Sequence, residues 1–366
     1  MLIILRNLFV NIIAVFIRDR NVRHRFRNKY KKKSKYRKLR DDNIRLFNEN
    51  KSIKQEINNL KAHDLNEIKN QLYKINSSLF SISNTYTDDP WVYLSIACQA
   101  LNEGPYLKEW IEYHRLVGIQ RFYFYDNGSD DDTTEILEPY IRDGIVIYYK
   151  AFGYGAQTQG MQTSIYNDAV CKYRYQTYWL ALIDLDEFLL PIEKDNIVEI
   201  LKDYEGYPAV ALNWLCFDTN GHKTKPTEHG GLVTANYTRV SKEYDIKVNK
   251  HIKSIVNPRK VAYVPSVHYA VYNKSLYFKD YCVTETFEPV HGPFTKHHSS
   301  SKIRINHYFT KSEEEYLKRH NMHPGRNRLA EHSKGWLVDQ DFKETTEDTS
   351  IQKFLPKLKA AMNITD

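Results

Sequence analysis

Residues 179–190 read WLALIDLDEFLL, an apolar run that meets three carboxylates where it ends. The run predicts a strand buried in the middle of a parallel sheet. Asp184, Asp186 and Glu187 would follow at the carboxyl end of that strand. Open α/β sheets bind their ligands in the crevice beyond the carboxyl ends of the strands. The sequence therefore predicts an active site at these three acids.

The spacing of Asp184 and Asp186 suits a divalent cation. Two residues apart, they share a face of an extended strand, and in the following turn both can approach one ion. Hard cations such as Mn²⁺ or Mg²⁺ take oxygen ligands and are often shared with substrate phosphates. The alternative is a turn of solvated acids. The flanking apolar run favours the metal site.

From Trp91 onward, strand and helix patterns alternate along the chain. The pattern predicts strands over 93–100, 121–125 and 145–149, with helices over 105–117 and 133–141. Alternation of this kind is typical of a doubly wound α/β fold with a mostly parallel sheet and flanking helices.

Polar residues follow the first two of these strands. Asn102 and Glu103 come after the first, and Asp126 and Asn127 come after the second. At a strand end, Asp126 and Asn127 are well placed to hydrogen-bond a ribose or a base edge. No Gly-x-Gly-x-x-Gly follows the first strand, which weakens the case for an ordinary dinucleotide site.

The second of these segments, residues 126–132, reads DNGSDDD and opens a helix. Helix capping alone would explain Asp132, because Glu135 three residues later completes a capping box. Asp126 and Asn127 lie too early to be caps. They therefore remain candidates for nucleoside binding.

The net charge of +8 is carried by the start of the chain. Residues 1–40 contain fourteen Lys or Arg and one acid, Asp19, so they carry +13 and the rest carries −5. Residues 2–17 are mostly apolar, which predicts a helix in the membrane interface followed by a polybasic segment that binds anionic lipid. The positive-inside rule then places the rest at the cytoplasmic face of a membrane. A disordered basic tail that binds RNA is the alternative, although a mildly acidic body argues against nucleic acid.

Residues 41–84 read as a helical stalk. Apolar residues repeat at spacings of three and four between Leu65 and Ile82, which is a coiled-coil seam, and an earlier seam runs between Leu46 and Leu60. A coiled coil would make a homo-oligomer, and a single helix packed on the next domain is the alternative. Residues 85–366 form the third predicted region.

The four cysteines have no metal or redox spacing, so free buried thiols are expected.

Three segments in this order resemble glycosyltransferase family 92 and related family 2-like enzymes. They are ALNEGPYLKEWIEYHRLVGIQRFYFYDNGSDDDT (100–133), WLALIDLDEFLLP (179–191) and INHYFTKSEEEYLKR (305–319). The resemblance implies a GT-A fold, a nucleotide-sugar donor, with a UDP-sugar favoured, and a divalent metal, usually manganese. By position, it implies that the side chains at 102, 103, 126 and 127 face the nucleoside. Asp184 would face the ribose or the metal, and Asp186 would be the main metal ligand.

Histidines late in such domains often complete the metal shell. The resemblance places His307 in a family motif, and His268 is its competitor for this role. His291, His297 and His298 have no supporting pattern.

Two further roles remain open. Lys250, Lys253 and Arg259 lie in a segment that the family also has, and a cation there, with Lys253 preferred, could hold the diphosphate or an anionic acceptor; a solvated loop is the alternative. The base that activates the acceptor hydroxyl has three candidates, with Asp218 preferred. The other two are Glu228 and Asp245.

The sequence is therefore interpreted as a membrane-associated, metal-dependent hexosyltransferase of polysaccharide biosynthesis. It would move one sugar, galactose as a first guess and with inversion, to a lipid-linked or cell-surface polysaccharide. The alternative is a non-catalytic, membrane-tethered glycan-binding or scaffold protein. A phosphotransferase with Asp184 as nucleophile is disfavoured, because Glu187 and Phe188 stand where that class expects a small or hydroxyl residue.

Overall fold

The computed structural model describes residues 91–150, 159–274, 279–321 and 344–364. All of these residues belong to one unit, Asp89–Asp366. The predicted leader (1–40) and stalk (41–84) lie outside the described residues and stay predictions. Within the described ranges, no helix is long and apolar enough to cross a membrane.

Strands and helices alternate through the first part of the domain, as predicted. The strands are β1 Val92–Ala100, β2 Arg121–Asp126, β3 Val146–Lys150, β4 Thr177–Leu182, β5 Glu187–Pro191, β6 Ala209–Cys216, β7 Arg239–Ser241, β8 Ile252–Val256, β9 Val261–Tyr263, β10 Val271–Tyr272, β11 Cys282–Thr284, β12 Pro289–Val290, β13 Ile303–His307 and β14 Thr345–Glu347. The helices are α1 Gly104–Leu116, α2 Thr133–Arg142, α3 Gln159–Lys172, α4 Ile197–Leu201, α5 Val233–Asn236, α6 Glu313–Asn321 and α7 Leu355–Met362.

The main sheet has the order β12-β11-β6-β8-β4-β1-β2-β3. Strands β1 to β4 run parallel to one another, and β6 is parallel to both β11 and β13. Strand β8 is antiparallel to both of its neighbours, β4 and β6. The predicted α/β architecture with a mostly parallel sheet is confirmed; the antiparallel strands are β8 at its centre and β5 and β12 at its margins.

The segment that predicted one strand forms two. Strand β4 ends at Leu182, a turn follows, and β5 begins at Glu187 and pairs antiparallel with β13. The apolar run therefore continues past the acids because β5 is itself buried along its whole length. The three acids lie in and directly after a tight connection between two buried strands.

Helix α1 fixes the position of β5 through side chains that reach its backbone. Trp110 Nε1 donates to the carbonyl of Glu187 at 2.8 Å, and Tyr113 OH donates to that of Leu189 at 3.0 Å. His114 Nε2 accepts from the amide of Leu189 at 3.1 Å, while its Nδ1 lies 2.8 Å from the Trp110 carbonyl. Both nitrogens are thus satisfied by a neutral imidazole, and burial lowers the pKa of His114 to about 3.

The sheet is covered on both faces. One apolar cluster includes Trp110, Phe122 and Phe188, and the other includes Tyr166 of α3 and Tyr173 directly after it. The final segment joins the first cluster through its buried side chains, which are Ile351, Phe354 and Leu358. All four cysteines are free, and Cys98, Cys216 and Cys282 are buried, as predicted.

Candidate active site

One edge of the sheet collects the polar side chains that the sequence singles out. Strands β4, β6 and β13 run in the same direction, so the connection after Leu182, Cys216 and His307 all lie at their carboxyl ends. Strand β8 runs the other way and brings Lys253 to this edge from its amino end. Asp184, Asp186, Lys253 and His307 are thereby brought together.

Asp184 is held by three donors. Lys253 Nζ lies 2.9 Å from its Oδ2, and Tyr166 OH donates to its Oδ1 at 3.2 Å. Gln162 Nε2 donates to the same Oδ1. The side chain of Asp184 is still 34% exposed, so one side of the carboxylate faces outward.

Glu187 lies fully buried behind Asp184. Its Oε2 accepts from the Asp184 amide at 2.8 Å and lies 3.7 Å from Lys253 Nζ. Its Oε1 has no hydrogen-bond partner among the described residues. Burial raises the pKa of Glu187, and the ammonium of Lys253 opposes that rise. Such a carboxylate oxygen has capacity for a proton or a cation.

Lys253 is buried between two acids, whereas a lysine that binds a diphosphate would have to reach the ligand. Its side chain is 1% exposed, and its ammonium lies between Asp184 and Glu187. Burial alone would lower its pKa, but these two carboxylates raise it, so the side chain stays charged. The prediction that Lys253 holds a diphosphate gains no support from this arrangement, since the ammonium is already enclosed by acids.

Asp186 is paired with His307. Its Oδ1 lies 3.7 Å from His307 Nε2, and the other ring nitrogen, Nδ1, lies 3.9 Å from Cys216 Sγ. The Asp186 backbone is also fixed, because its carbonyl accepts from the Tyr308 amide at 2.8 Å. Burial opposes a charge on His307, but the carboxylate of Asp186 and the Cys216 contact raise its pKa to about 10.

The pair of Asp186 and His307 fits a divalent cation. Ligand atoms bound at about 2.1 Å to one ion lie between about 3 and 4 Å apart, and the observed 3.7 Å falls in that range. A cation would displace the imidazole proton. No group of three or more His, Cys, Asp or Glu in the described part of the chain is arranged to hold a metal. A hard cation that is shared with substrate phosphates usually takes only one or two carboxylates from the protein, so a small ligand set is compatible with this kind of site.

The competing histidine, His268, also contacts Trp214. Its Nδ1 lies 3.0 Å from the Ile252 carbonyl, and its ring packs edge-on against Trp214 at 5.3 Å. Burial, reinforced by the charge of Lys253, lowers the pKa of His268 to about 4. The rings of His251 and His307 also contact Trp214, so this indole is the centre of an imidazole cluster. The structure pairs Asp186 with His307, which favours His307 as the ligand.

The loops after β1 and β2 are joined to each other. Asn102 Oδ1 accepts from the Asp130 amide at 2.9 Å, and the Asn102 amide donates to Ser129 Oγ at the same distance. Asp126 is fully buried. Its Oδ1 accepts from the Ser129 amide and hydroxyl, and its Oδ2 accepts from Tyr148 OH at 2.5 Å. Asp126 thus shapes the loop from inside, whereas Asn127 is half-buried at its surface.

The capping interpretation of this loop is wrong in one detail. Asp132 is the N-cap residue of α2, but its side chain makes no capping hydrogen bond. Asp131 Oδ1 accepts from the Thr133 amide at 3.1 Å instead, and Asp131 Oδ2 accepts from the Gly104 amide at 2.9 Å. The residue one position earlier therefore satisfies the backbone of both helices.

Glu103 contacts a lysine that the sequence patterns did not identify. Lys311 Nζ lies 3.5 Å from Glu103 Oε2 and 3.6 Å from the centre of the Tyr106 ring. Lys311 is buried and has a φ of 50°, a conformation that a lysine rarely adopts. The contact joins the loop after β1 to the segment that follows His307.

The three candidate bases are engaged in other contacts. Both carboxylate oxygens of Asp218 accept from Arg239 Nε, at 2.9 and 2.6 Å. Asp245 is exposed and lies 3.3 Å from Lys250 Nζ, and its Oδ1 accepts from the His298 amide. Glu228 is exposed as well. None of these contacts singles out a base, so the assignment of Asp218 stays a prediction.

Gln162 and Tyr166 of helix α3 are the site residues that the sequence patterns missed. They are four residues apart and therefore lie on one face of the helix. Met161, Ile165 and Ala169 repeat at the same spacing and are buried, and this periodicity was the available signal for α3.

Curated relatives match parts of the chain. A glycosyltransferase family 92 protein of Oryza sativa subsp. japonica is 30% identical over 160 residues, which are 43% of this chain and 25% of that protein. A galactan beta-1,4-galactosyltransferase of Arabidopsis thaliana is 26% identical over 217 residues, 55% of this chain and 38% of that protein. The chain thus spans well under half the length of these relatives.

Solved structures give weaker likenesses. S. aureus TarS is 14% identical with a TM-score of 0.28, covering 45% of this chain and 47% of that chain. Glucosyl-3-phosphoglycerate synthase from Mycobacterium tuberculosis, crystallised with Mn²⁺, UDP and its product, is 17% identical with a TM-score of 0.24, covering 33% and 44%. Likenesses at this level support no conclusion about donor or metal.

The model of glycosyltransferase family 92 matches residues 94–333, which is more than half of the chain. This range contains the sheet edge described above, with Asp184, Asp186, Lys253 and His307. The sheet itself, with its parallel strands and flanking helices, agrees with the GT-A fold that the resemblance implies. The chain belongs to glycosyltransferase family 92.

Proposed function

We propose that the protein is a metal-dependent glycosyltransferase that moves a sugar from a nucleotide-sugar donor to a glycan acceptor. One observation carries the proposal: in a family 92 chain, Asp186 and His307 meet at the carboxyl edge of the sheet at a separation that suits one cation. The buried acids around them provide the negative field that would attract it.

The residues divide into distinct roles in this proposal. Asp186 and His307 would hold Mn²⁺ or Mg²⁺, and a bound ion neutralises the charge of a departing diphosphate. Asp184 would accept a hydrogen bond from a hydroxyl of the sugar-nucleotide donor through its exposed side.

The nucleoside would lie along the two loops after β1 and β2. These loops contain Asn102 and Glu103, and Asp126 and Asn127. Sugar transfer also needs a base for the acceptor hydroxyl, for which Asp218 remains the first candidate.

Galactose is the first donor sugar to test, supplied as UDP-galactose. The support is that relatives in Arabidopsis thaliana are named galactan beta-1,4-galactosyltransferases, at 26% and 28% identity. The resemblance to family 92 favours inversion at the anomeric carbon.

A membrane-bound acceptor is the proposed acceptor class. Its support is the composition of residues 1–40, which combine an apolar segment with a net charge of +13. Such a segment would bind an anionic membrane at its cytoplasmic face, where a lipid-linked glycan is accessible. A coiled coil within residues 41–84 would make the enzyme an oligomer.

The test is donor hydrolysis by the full-length protein. The protein would be incubated with Mn²⁺ and a panel of UDP-, GDP- and dTDP-sugars, and nucleotide release would be measured beside Asp186→Asn and with a chelator. We expect release from one donor, abolished by the substitution and by the chelator. No release from any donor, together with no metal-dependent nucleotide binding, would leave the tethered glycan-binding protein as the better interpretation.

A further inference from the structure

The acids after β4 carry more negative charge than the cation site itself needs. Asp184, Asp186 and Glu187 lie within four residues, and the buried ammonium of Lys253 contacts the first and the third of them. The second, Asp186, faces His307 instead. The cluster is therefore split into an acid pair that shares a lysine and a single acid that shares an imidazole.

We propose that Lys253 is a positioning residue that fixes the carboxylate of Asp184 and confines the divalent cation to Asp186 and His307. The inference rests on the proposed metal-dependent function. This role of Lys253 replaces the predicted one of binding the diphosphate, because its ammonium is enclosed by Asp184 and Glu187.

The hydrogen bonds of Asp184 support a fixed acceptor. An ionised carboxylate has about four sites for hydrogen-bond donors. Lys253, Gln162 and Tyr166 occupy three of them, from β8 and from two turns of α3. About one site remains on the exposed side of the carboxylate, which is enough for one donor hydroxyl. The orientation of Asp184 is thus set by side chains that come from two other elements.

Charge supports the second half of the proposal. An ammonium 2.9 Å from Asp184 repels any cation that would bind the same carboxylate. Without Lys253, the charges of Asp184 and Glu187 would no longer be offset by an ammonium, and a cation would also be attracted toward Asp184. Divalent cations should then bind more tightly to the protein alone, because the surroundings of the site are more negative.

The experiment is a calorimetric titration of full-length protein with MnCl₂ in the absence of nucleotide. Lys253→Met is compared with the wild type, and we expect its Mn²⁺ affinity to be at least fivefold higher. Lys253→Arg restores a cation and should stay within twofold of the wild type. In parallel, UDP affinity in the presence of Mn²⁺ should fall at least fivefold in Lys253→Met, since Asp184 is no longer oriented.

Lys260→Met is the matched control. Lys260 is half-buried and donates to the carbonyls of Glu205 and Tyr207, at 2.8 and 3.1 Å, so its loss removes a packed lysine without exposing an acid pair. We expect its stability to fall and its Mn²⁺ affinity to stay unchanged. This separates a general packing effect from a specific effect on the acids.

The outcomes are distinguishable. If the wild type binds neither Mn²⁺ nor UDP, the proposed function itself fails. If it binds both, and Lys253→Met binds Mn²⁺ equally or more weakly, then Lys253 only stabilises the fold and the inference is overturned. Should Lys253→Met not fold, the charge-balanced variant Lys253→Met with Glu187→Gln replaces it. That variant still frees Asp184 and is expected to bind Mn²⁺ more tightly than Glu187→Gln alone.

Discussion

Two acid-rich loops at the same edge of the sheet differ in how their charges are satisfied. After β2, Asp126 and Asp131 accept from backbone amides and hydroxyls of nearby residues. After β4, Asp184, Asp186 and Glu187 face side chains from α3, β8 and β13. Both loops are rich in acids, so their acid content alone does not distinguish them. The partners distinguish a loop whose acids satisfy its own backbone from a cluster whose acids are held by side chains of other elements.

The largest effect should come from Asp186→Asn. Loss of this ligand removes the charge that would hold the cation, so we expect transfer to fall about 10³-fold. The variant keeps the size of the side chain but leaves the buried His307 without its carboxylate, so the thermal midpoint should fall, and a cooperative unfolding transition is the control for folding. The measurement is the rate of nucleotide release with the donor that the sugar-nucleotide panel selects.

Asp132→Asn is the matched substitution in the other loop. Asp132 is exposed and makes no capping bond, so its variant should release nucleotide within twofold of the wild-type rate. Equal losses in the two variants would mean that both loops bind the ligand, and the distinction between them would be lost.

The next effect is on stability, in the loop after β2. Asp126→Asn removes the charge that accepts from Ser129 and Tyr148 in a fully buried position. We expect the free energy of unfolding, measured in urea, to fall by about 2–3 kcal/mol. If stability is retained and the KM for the donor rises instead, Asp126 contacts the nucleoside, as the family resemblance implies.

Much of the fold followed from local patterns. The strands predicted over 93–100, 121–125 and 145–149 match β1, β2 and β3 within one residue, because buried parallel strands are nearly continuous apolar runs. The strand end and the turn at the acids within 179–190 were predicted, but the second strand, β5, was not, since its apolar residues were read as part of the same run as β4. Strand β8 and its antiparallel direction depend on long-range pairing, which no local pattern encodes.

The candidate site was predicted only where its residues lie in local sequence motifs. Asp184, Asp186 and His307 lie in motifs, and the structure brings them together. The contacts of Lys253 could not be predicted from the sequence, because its two acid partners lie 69 and 66 positions away. Gln162 and Tyr166 carry no motif, so only the packing of α3 reveals their contact with Asp184.

A smaller effect is expected at the second proposed ligand. His307→Gln removes the imidazole while keeping a polar side chain, so Mn²⁺ affinity in the presence of UDP should fall about 10- to 100-fold, measured by calorimetry. His268→Gln is the comparison, because that ring packs on the same indole of Trp214. A greater loss from His268→Gln than from His307→Gln would reverse the assignment of the metal ligand.

The smallest expected effect is on the pH dependence of stability. His114 of helix α1 accepts a hydrogen bond from β5, the strand that follows the acid cluster. Its pKa is lowered from 6.5 to about 3 by burial, so the unfolded chain binds a proton that the folded chain does not bind between these values. Stability from the neutral imidazole is complete above about pH 6.5 and is lost as the pH falls, at about 1.4 kcal/mol per pH unit. His114→Gln should flatten this slope in urea unfolding between pH 6.5 and 4.5. Tyr113→Phe, which removes only the neighbouring bond to Leu189, should lower stability and keep the slope. An unchanged slope in His114→Gln would mean that other groups set the acid sensitivity, and that the acid cluster is not held in place by a histidine that must stay neutral.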